Sequence, residues 1–139
     1  MAECIFCRIA AGTMKAEVVY EAPWALAFLD TYPSARGHTL VIPRAHAPTL
    51  LELGDGDVGE LFRAVKAVTR KVQAALGPVG FNVGWNHGAA AGQHVFHLHV
   101  HILPRYGEGG RGIQSVGAGG GQGNLAEIAA AIRAAAERG

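Results

Sequence analysis

Seven histidines stand in this chain of 139 residues, and five of them fall between His87 and His101. The densest run is His97-Leu98-His99-Val100-His101-Ile102-Leu103. On an extended strand side chains alternate between faces, so this spacing sends the three histidines one way and Leu98, Val100 and Ile102 into the core. Three neighbouring imidazoles make poor core packing, because each brings ring nitrogens that need hydrogen-bond partners. A single metal held by the whole row is opposed by distance. On a straight strand the Cα atoms of His97 and His101 stand roughly 13 Å apart, and each metal–nitrogen bond reaches about 2.1 Å. Adjacent members could share a metal, but not the whole row. What remains is nucleophilic catalysis by one histidine, with its neighbours binding charge and setting its tautomer. Imidazole suits that work: near pH 7 it is mostly neutral, can attack, and can leave as a cation.

The second group with chemical reach is Cys4 and Cys7, the two cysteines of the chain. In a reducing compartment such a pair is half a metal site or a redox couple more often than a structural disulfide. A thioredoxin-like couple follows a strand, and three residues precede Cys4. That weighs towards metal.

The elements that must position these groups are legible in outline. Ile5, Phe6 and Ile9 lie at helical spacing in a short turn that Gly12 ends. Residues 17–21 and 24–30 read as strands around an Ala22-Pro23 turn, and Thr39-Leu40-Val41-Ile42 as a buried strand stopped by Pro43. Asp57 is the expected N-cap of the longest helix. Its apolar stripe runs Val58, Leu61, Phe62, Val65, Val68, Val72, and Gly77-Pro78 ends it. Arg63, Lys66, Arg70 and Lys71 fall off the stripe and predict a solvated face. Strands are expected again over 81–85 and 97–103. Asn124 is the expected cap of an Ala-rich helix to about residue 137, with Leu125, Ile128 and Ile132 as its apolar side. Several antiparallel strands with helices to one side make an α+β domain.

Composition narrows the function. Half of the residues are apolar, but 25 are Ala and a further 20 residues are Gly, so the bulky core is small. Twelve Lys and Arg against 11 Asp and Glu leave a formal charge of +1, without the basic excess of a nucleic-acid binder. No stretch approaches the 18 or so apolar residues of a membrane span. The opening Met1-Ala2-Glu3-Cys4 carries an acid where a signal peptide carries positive charge, and the expected location is cytoplasmic. From 107 to 124, nine of 18 residues are glycine, which predicts a surface loop between a core over 1–106 and a C-terminal helix and tail over 125–139.

The run His-Leu-His-Val-His-Ile-Leu resembles the signature of the histidine triad (HIT) family, in which three histidines alternate with apolar residues. The similarity covers nearly the whole chain. Cys4 to Gly12 looks like the opening of a bacterial Hint-like member, and Phe28-Leu29-Asp30, the segment 37–46, Gly92-Gln93 and the Pro104-Arg105 end of the histidine run follow at familiar positions. The resemblance implies the HIT fold, a five-stranded antiparallel sheet with helices on one side, paired across a two-fold axis into a homodimer.

It also implies roles. The family's enzymes split a nucleoside 5′-phosphate from a leaving group on its α-phosphorus. By resemblance His99 attacks that phosphorus and forms a nucleotidyl-imidazole intermediate, which water hydrolyses. His101 contacts the α-phosphate, His38 pairs with His101, and His97 supports the row. Asp30 matches the acid on the ribose hydroxyls. Ile5, Phe6, Ile9, Phe28 and Leu40 match the base pocket, and Asn86 and Gln93 the polar groups around the phosphate. Many relatives carry Ser or Thr where this chain has His94, and His94 is expected to protonate the leaving group in their place. Cys4, Cys7, His46 and His97 match a Cys₂His₂ set that closes a structural zinc site; no catalytic cofactor is implied. The expected activity is hydrolysis of a purine nucleoside phosphoramidate or dinucleoside polyphosphate. A nucleotide-binding regulatory module with little turnover, or a nucleotidyltransferase using the same histidine, are the alternatives.

Overall fold

The computed structural model of the chain describes residues 3–107 and 124–135. The glycine-rich stretch expected as a loop lies outside those residues apart from its two ends, as does the tail past 135. The elements run α1 (Ile5–Ala10), β1 (Val18–Glu21), β2 (Ala25–Leu29), β3 (Thr39–Pro43), α2 (Asp55–Leu76), β4 (Gly80–Gly84), β5 (Val100–Arg105) and α3 (Leu125–Ala134). The five strands form one antiparallel sheet in the order β1-β2-β3-β5-β4. This is the expected α+β architecture. No helix among the described residues is long and apolar enough to cross a membrane.

Both faces of the central strands are buried, which is why β2 and β3 read as continuous apolar runs. Ala25, Ala27, Leu29, Val41, Val100 and Ile102 face α2 and α3 and form the main core. Leu26, Phe28, Leu40 and Ile42 point the other way and pack with Phe6 of α1. The register pairs Leu26 with Ile42 and Phe28 with Leu40 on that second face. Because the side-chain period is two, a one-residue slip would exchange the two sets, so the register is firmly specified. The long helices thus cover one face, and the short α1 leaves the other partly open.

Three local expectations change. The long helix starts at Asp55, with Gly54 as an N-cap that makes no side-chain hydrogen bond. Asp57 lies inside the first turn, where its charge favours the helix dipole without capping it. Lys71 is not solvated: it is buried, and its Nζ donates to the carbonyls of Arg133 and Ala135. It thereby satisfies the unpaired end of α3. Finally, β5 begins at Val100, so His97 and His99 precede the strand. The alternation of burial through Leu98, Val100 and Ile102 still holds.

Candidate functional site

The site lies on the α1 face of the sheet. His101 sits in β5 opposite Leu40 on β3 and Gly84 on β4. His38 immediately precedes β3. Gly37, at φ +84, makes the turn into that strand, and a Cβ there would run into Leu76 Cδ1. The helix α1 brings the Phe6 ring edge-on to His99, with centroids 5.0 Å apart, and to Phe28 at 5.4 Å. These contacts wall a cavity of about 460 Å³, a size suited to a small molecule. Its lining includes Ile5, Ile9, Asp30, His94, His99 and His101.

Hydrogen bonding fixes the protons on the imidazoles. The Nδ1 of His99 lies 2.9 Å from the backbone oxygen of His97. A carbonyl can only accept, so Nδ1 carries the hydrogen and Nε2 keeps its lone pair. A relay sets His101. The backbone N–H of Ser34 donates to His38 Nδ1 at 3.1 Å, so the neutral His38 ring carries its hydrogen on Nε2. That hydrogen is donated to His101 Nδ1 at 3.0 Å, and the hydrogen of His101 must then be on its Nε2. One row therefore presents a nucleophilic nitrogen at His99 and an N–H donor at His101. Asp30 Oδ2 stands 3.7 Å from His38 Nε2, beyond hydrogen-bond length, and Asp30 Oδ1 accepts from the backbone N–H of Tyr32 at 2.9 Å.

Burial keeps these rings neutral. Desolvation, with the positive fields of Arg105 and His99, pushes the His38 pKa down to about 4. Desolvation, with His99 and His38, takes His101 down to about 3, against a smaller opposing pull from Asp30. His99 is lowered by burial, and its bond to the His97 carbonyl and the charge of Asp30 oppose that. A neutral His99 is the form that can attack.

This has a stability consequence. In the unfolded chain histidine titrates near 6.5, above the folded values of His38 and His101, so the unfolded state takes up protons first. Folded stability is therefore full above about pH 7 and falls as pH drops from 6.5 towards 4. From His38 alone the loss is about 2 kcal/mol by pH 5. Urea unfolding midpoints at pH 7.5 and 5 measure it, and His38→Gln is expected to remove about that much of the difference.

The cysteines and two histidines meet on the other side of His97. Its Nδ1 lies 3.4 Å from Cys4 Sγ and 3.5 Å from Cys7 Sγ, and Cys7 Sγ lies 3.3 Å from His46 Nδ1. All four ligand atoms fall within 4.8 Å of one another. Bonds of about 2.3 Å to sulfur and 2.1 Å to nitrogen, set tetrahedrally, place S and N about 3.6 Å apart. The donor set and its spacing therefore fit zinc. The Nε2 of His97 donates to the Pro43 carbonyl at 2.9 Å, which turns the lone pair of Nδ1 towards the sulfurs, the outer bond usual for a metal-bound histidine. The bend before β5 is what lets this ring face the cysteines: the Leu98 N–H donates to the Ala47 carbonyl at 2.8 Å, drawing 97 beside 46. In the metal-free protein burial and Cys4 raise the Cys7 pKa.

Of the residues named from the sequence, His38, His99 and His101 converge, with Asp30, His94 and the apolar set around them. Gln93 is placed differently. Its side chain is buried, accepts from the Gly88 N–H and donates to the carbonyls of Pro48 and Val95, so it shapes the loop before the triad. Asn86 lies beneath that loop, its Nδ2 close to where a Cβ on Gly92 would be. Neither is among the residues lining the cavity. The groups sequence reasoning missed are mostly backbone: the His97 and Pro43 carbonyls and the Ser34 N–H. Main-chain donors and acceptors have no residue signature. Met14, Lys15, Thr31 and Tyr32 also line the cavity; they lie in segments between elements, where no periodicity marks them.

Comparison with known proteins gives this geometry its relatives. The chain is 45% identical over 106 residues to the protein hit of Bacillus subtilis, covering 76% of this chain and 73% of that one. It is 42% identical over 102 residues to the adenosine 5′-monophosphoramidase hnt1 of Schizosaccharomyces pombe, covering 73% and 74%. The crystal structure of a zinc-bound histidine triad family protein from Mycobacterium smegmatis superposes with a TM-score of 0.81 at 32% identity, covering 96% and 92%. The model of the HIT domain matches residues 11–108, the span that carries the sheet, the paired His38 and His101, and His99. The chain belongs to the HIT family.

Proposed function

We propose that this protein is a nucleotidyl hydrolase that cleaves at the α-phosphate of a purine nucleotide and releases a nucleoside monophosphate. The observation that carries the reading is the proton pattern of the row: an unprotonated Nε2 on His99 beside an N–H donor on His101, both at a cavity of nucleotide size. The name of the S. pombe relative supplies the substrate class, a nucleoside phosphoramidate.

In this reading the lone pair of His99 Nε2 attacks the α-phosphorus, the bond from phosphorus to the leaving group breaks, and a P–Nε2 bond forms. The His97 carbonyl, hydrogen-bonded to Nδ1, stabilises the cationic ring of the intermediate. The Nε2–H of His101 donates to a phosphoryl oxygen as charge builds there. Asp30 takes the ribose hydroxyls. Water then attacks phosphorus and gives up a proton to the neutral ring that the first step leaves at His94, the electron pair of the P–Nε2 bond returns to His99, and the monophosphate leaves. His94, at the cavity rim, donates the proton that the leaving group needs. His94→Ala, which has no proton to give, is expected to lower kcat by about 10²-fold with an amine leaving group. It should matter little when the leaving group is a good anion such as a nitrophenolate. An unchanged rate with the amine would remove His94 from the mechanism.

Zinc belongs to this reading as a structural group held by Cys4, Cys7, His46 and His97, tying α1 to the segment before β5. With four protein ligands the site has no open position for chemistry. Elemental analysis is expected to give one zinc per chain. Zinc at a thousandfold excess over its Kd should add about 4 kcal/mol of stability, and the Cys4→Ser, Cys7→Ser double variant should lose that gain while its hydrolysis persists with added chelator. Identical melting with and without zinc would contradict it. Pairing into a homodimer is part of the proposal and is supported by β4 at the sheet edge, where Val79 and Val83 are exposed. Sedimentation equilibrium at twice the chain mass is the expected result.

A further inference from the structure

The cavity and the cysteine–histidine set share one element, α1. Cys4 caps this helix and Cys7 lies within it, one turn on; Cys4 Sγ faces His97, and Cys7 Sγ faces His97 and His46. Ile5, Phe6 and Ile9, interleaved with the cysteines, line the cavity. At about 100° per residue the two sets leave different faces of the helix, so α1 stands as a wall between the sites.

This wall depends on its anchors. A helix of six residues does not hold itself in water, where about 12 are needed. The last turn is anchored without metal, since Arg44 Nη1 donates to the Ala10 carbonyl at 3.0 Å and Arg44 Nε to the Ala22 carbonyl at 2.8 Å. Among the described residues, the polar contacts from the first turn to other elements are those of the cysteines with His97 and His46. The histidine side needs no metal either. His97 Nε2 is held by the Pro43 carbonyl, and the Leu98 N–H by the Ala47 carbonyl. A cation on the four ligands therefore fixes chiefly the first turn of α1, where Ile5 and Phe6 stand, and leaves the triad as it is.

We propose that zinc on Cys4, Cys7, His46 and His97 tightens nucleotide binding in the cavity through α1, with little effect on turnover at saturating substrate. The inference rests on the nucleotide reading and the zinc set above. A ligand packed on Ile5 and Phe6 needs the first turn ordered. In the metal-free chain binding must supply that order, and in the zinc-loaded chain it is already present. Linkage makes the effect reciprocal, so the nucleotide raises zinc affinity by the same factor. The expected factor is about tenfold, low among such couplings, because the Phe6 ring keeps its edge contact with Phe28 at 5.4 Å whether or not metal is bound.

Calorimetric titration of AMP into the full-length chain, stripped of metal and then reloaded with zinc, tests it. Zinc should tighten AMP binding about tenfold, and saturating AMP should lower the zinc Kd by the same factor in competition with a metal indicator. The Cys4→Ser, Cys7→Ser double variant keeps a hydroxyl that can accept the capping N–H. It should bind AMP at the weaker, metal-free strength with zinc present or absent. Amide exchange locates the change: zinc should slow the N–H groups of Arg8 and Ala11, which close α1 onto the carbonyls of Cys4 and Cys7, and leave those of β3 and β5 unaltered. AMP affinities within twofold in the stripped and loaded chains would overturn the coupling and leave the hydrolase reading standing. So would a zinc effect that survives in the double variant, which would put the metal at the phosphate, or exchange that changes throughout the sheet. Binding of no AMP in either state would overturn the coupling and the nucleotide reading together.

Discussion

His99→Gly is expected to lower kcat/KM for a nucleoside phosphoramidate by about 10⁴-fold to 10⁶-fold, the usual scale for losing a covalent nucleophile. A loss of 10⁴ corresponds to about 5.4 kcal/mol of transition-state stabilisation. Binding of the nucleoside monophosphate should change little, because the cavity is walled by Ile5, Phe6, Phe28 and Leu40, and Asp30 is untouched. The separation of the two effects is the point of the prediction. A residue that merely packs would affect binding and turnover together, and Phe6, whose ring meets His99 edge-on, would then relax into the space. Stopped assays of product release, with titration of the monophosphate on the same preparation, measure both. Turnover within tenfold of native in His99→Gly would remove the nucleophile from the account.

The second large effect is expected at His101. Replacing it by Ala removes the N–H donor that the His38 relay aims at the cavity, and loss of one such donor costs about 10²-fold to 10³-fold in kcat. KM should move much less, since the donor matters most when charge builds on the phosphoryl oxygens. His38 acts through His101, so its variants separate geometry from chemistry. His38→Ala leaves His101 Nδ1 without its donor and frees the ring to change tautomer; His38→Gln, whose amide nitrogen reaches as far as Nε2, can still donate a hydrogen to that nitrogen. The Gln variant should therefore retain more activity than the Ala variant. Equal activity in the two would show that the relay does not set the proton on His101.

Much of this arrangement can be read from residue pattern, because burial and periodicity leave marks on side chains. The stripe through Val58, Leu61, Val65, Val68 and Val72 specifies α2, and the continuous apolar runs of β2 and β3 specify strands buried on both faces. The start of α2 at Asp55 leaves no mark in the sequence, because Gly54 caps it without a side-chain hydrogen bond. Lys71 read as solvated because its partners, the carbonyls of Arg133 and Ala135, are main-chain groups far along the sequence. The histidine row shows the same division. Its spacing predicts His97, His99 and His101 on one face of one strand. The strand begins at Val100, and the bend before it lets His97 turn its ring to Cys4 and Cys7 while its carbonyl holds His99. Residue spacing reports which side chains are near one another. It does not report which main-chain atom fixes a tautomer, and here the carbonyls of His97 and Pro43 and the N–H of Ser34 do so.

The measurement that bears most directly on His99 as nucleophile is mass spectrometry of the protein quenched during a single turnover of a nucleoside phosphoramidate, with metal chelated. The expected result is a transient gain of one nucleotidyl group on the peptide that contains His99, acid-labile and stable in base. The gain should be absent in His99→Gly and prolonged where the second displacement is slowed. Product release by the native protein with no adduct at any quench time, or an adduct on a different residue, would contradict attack by His99.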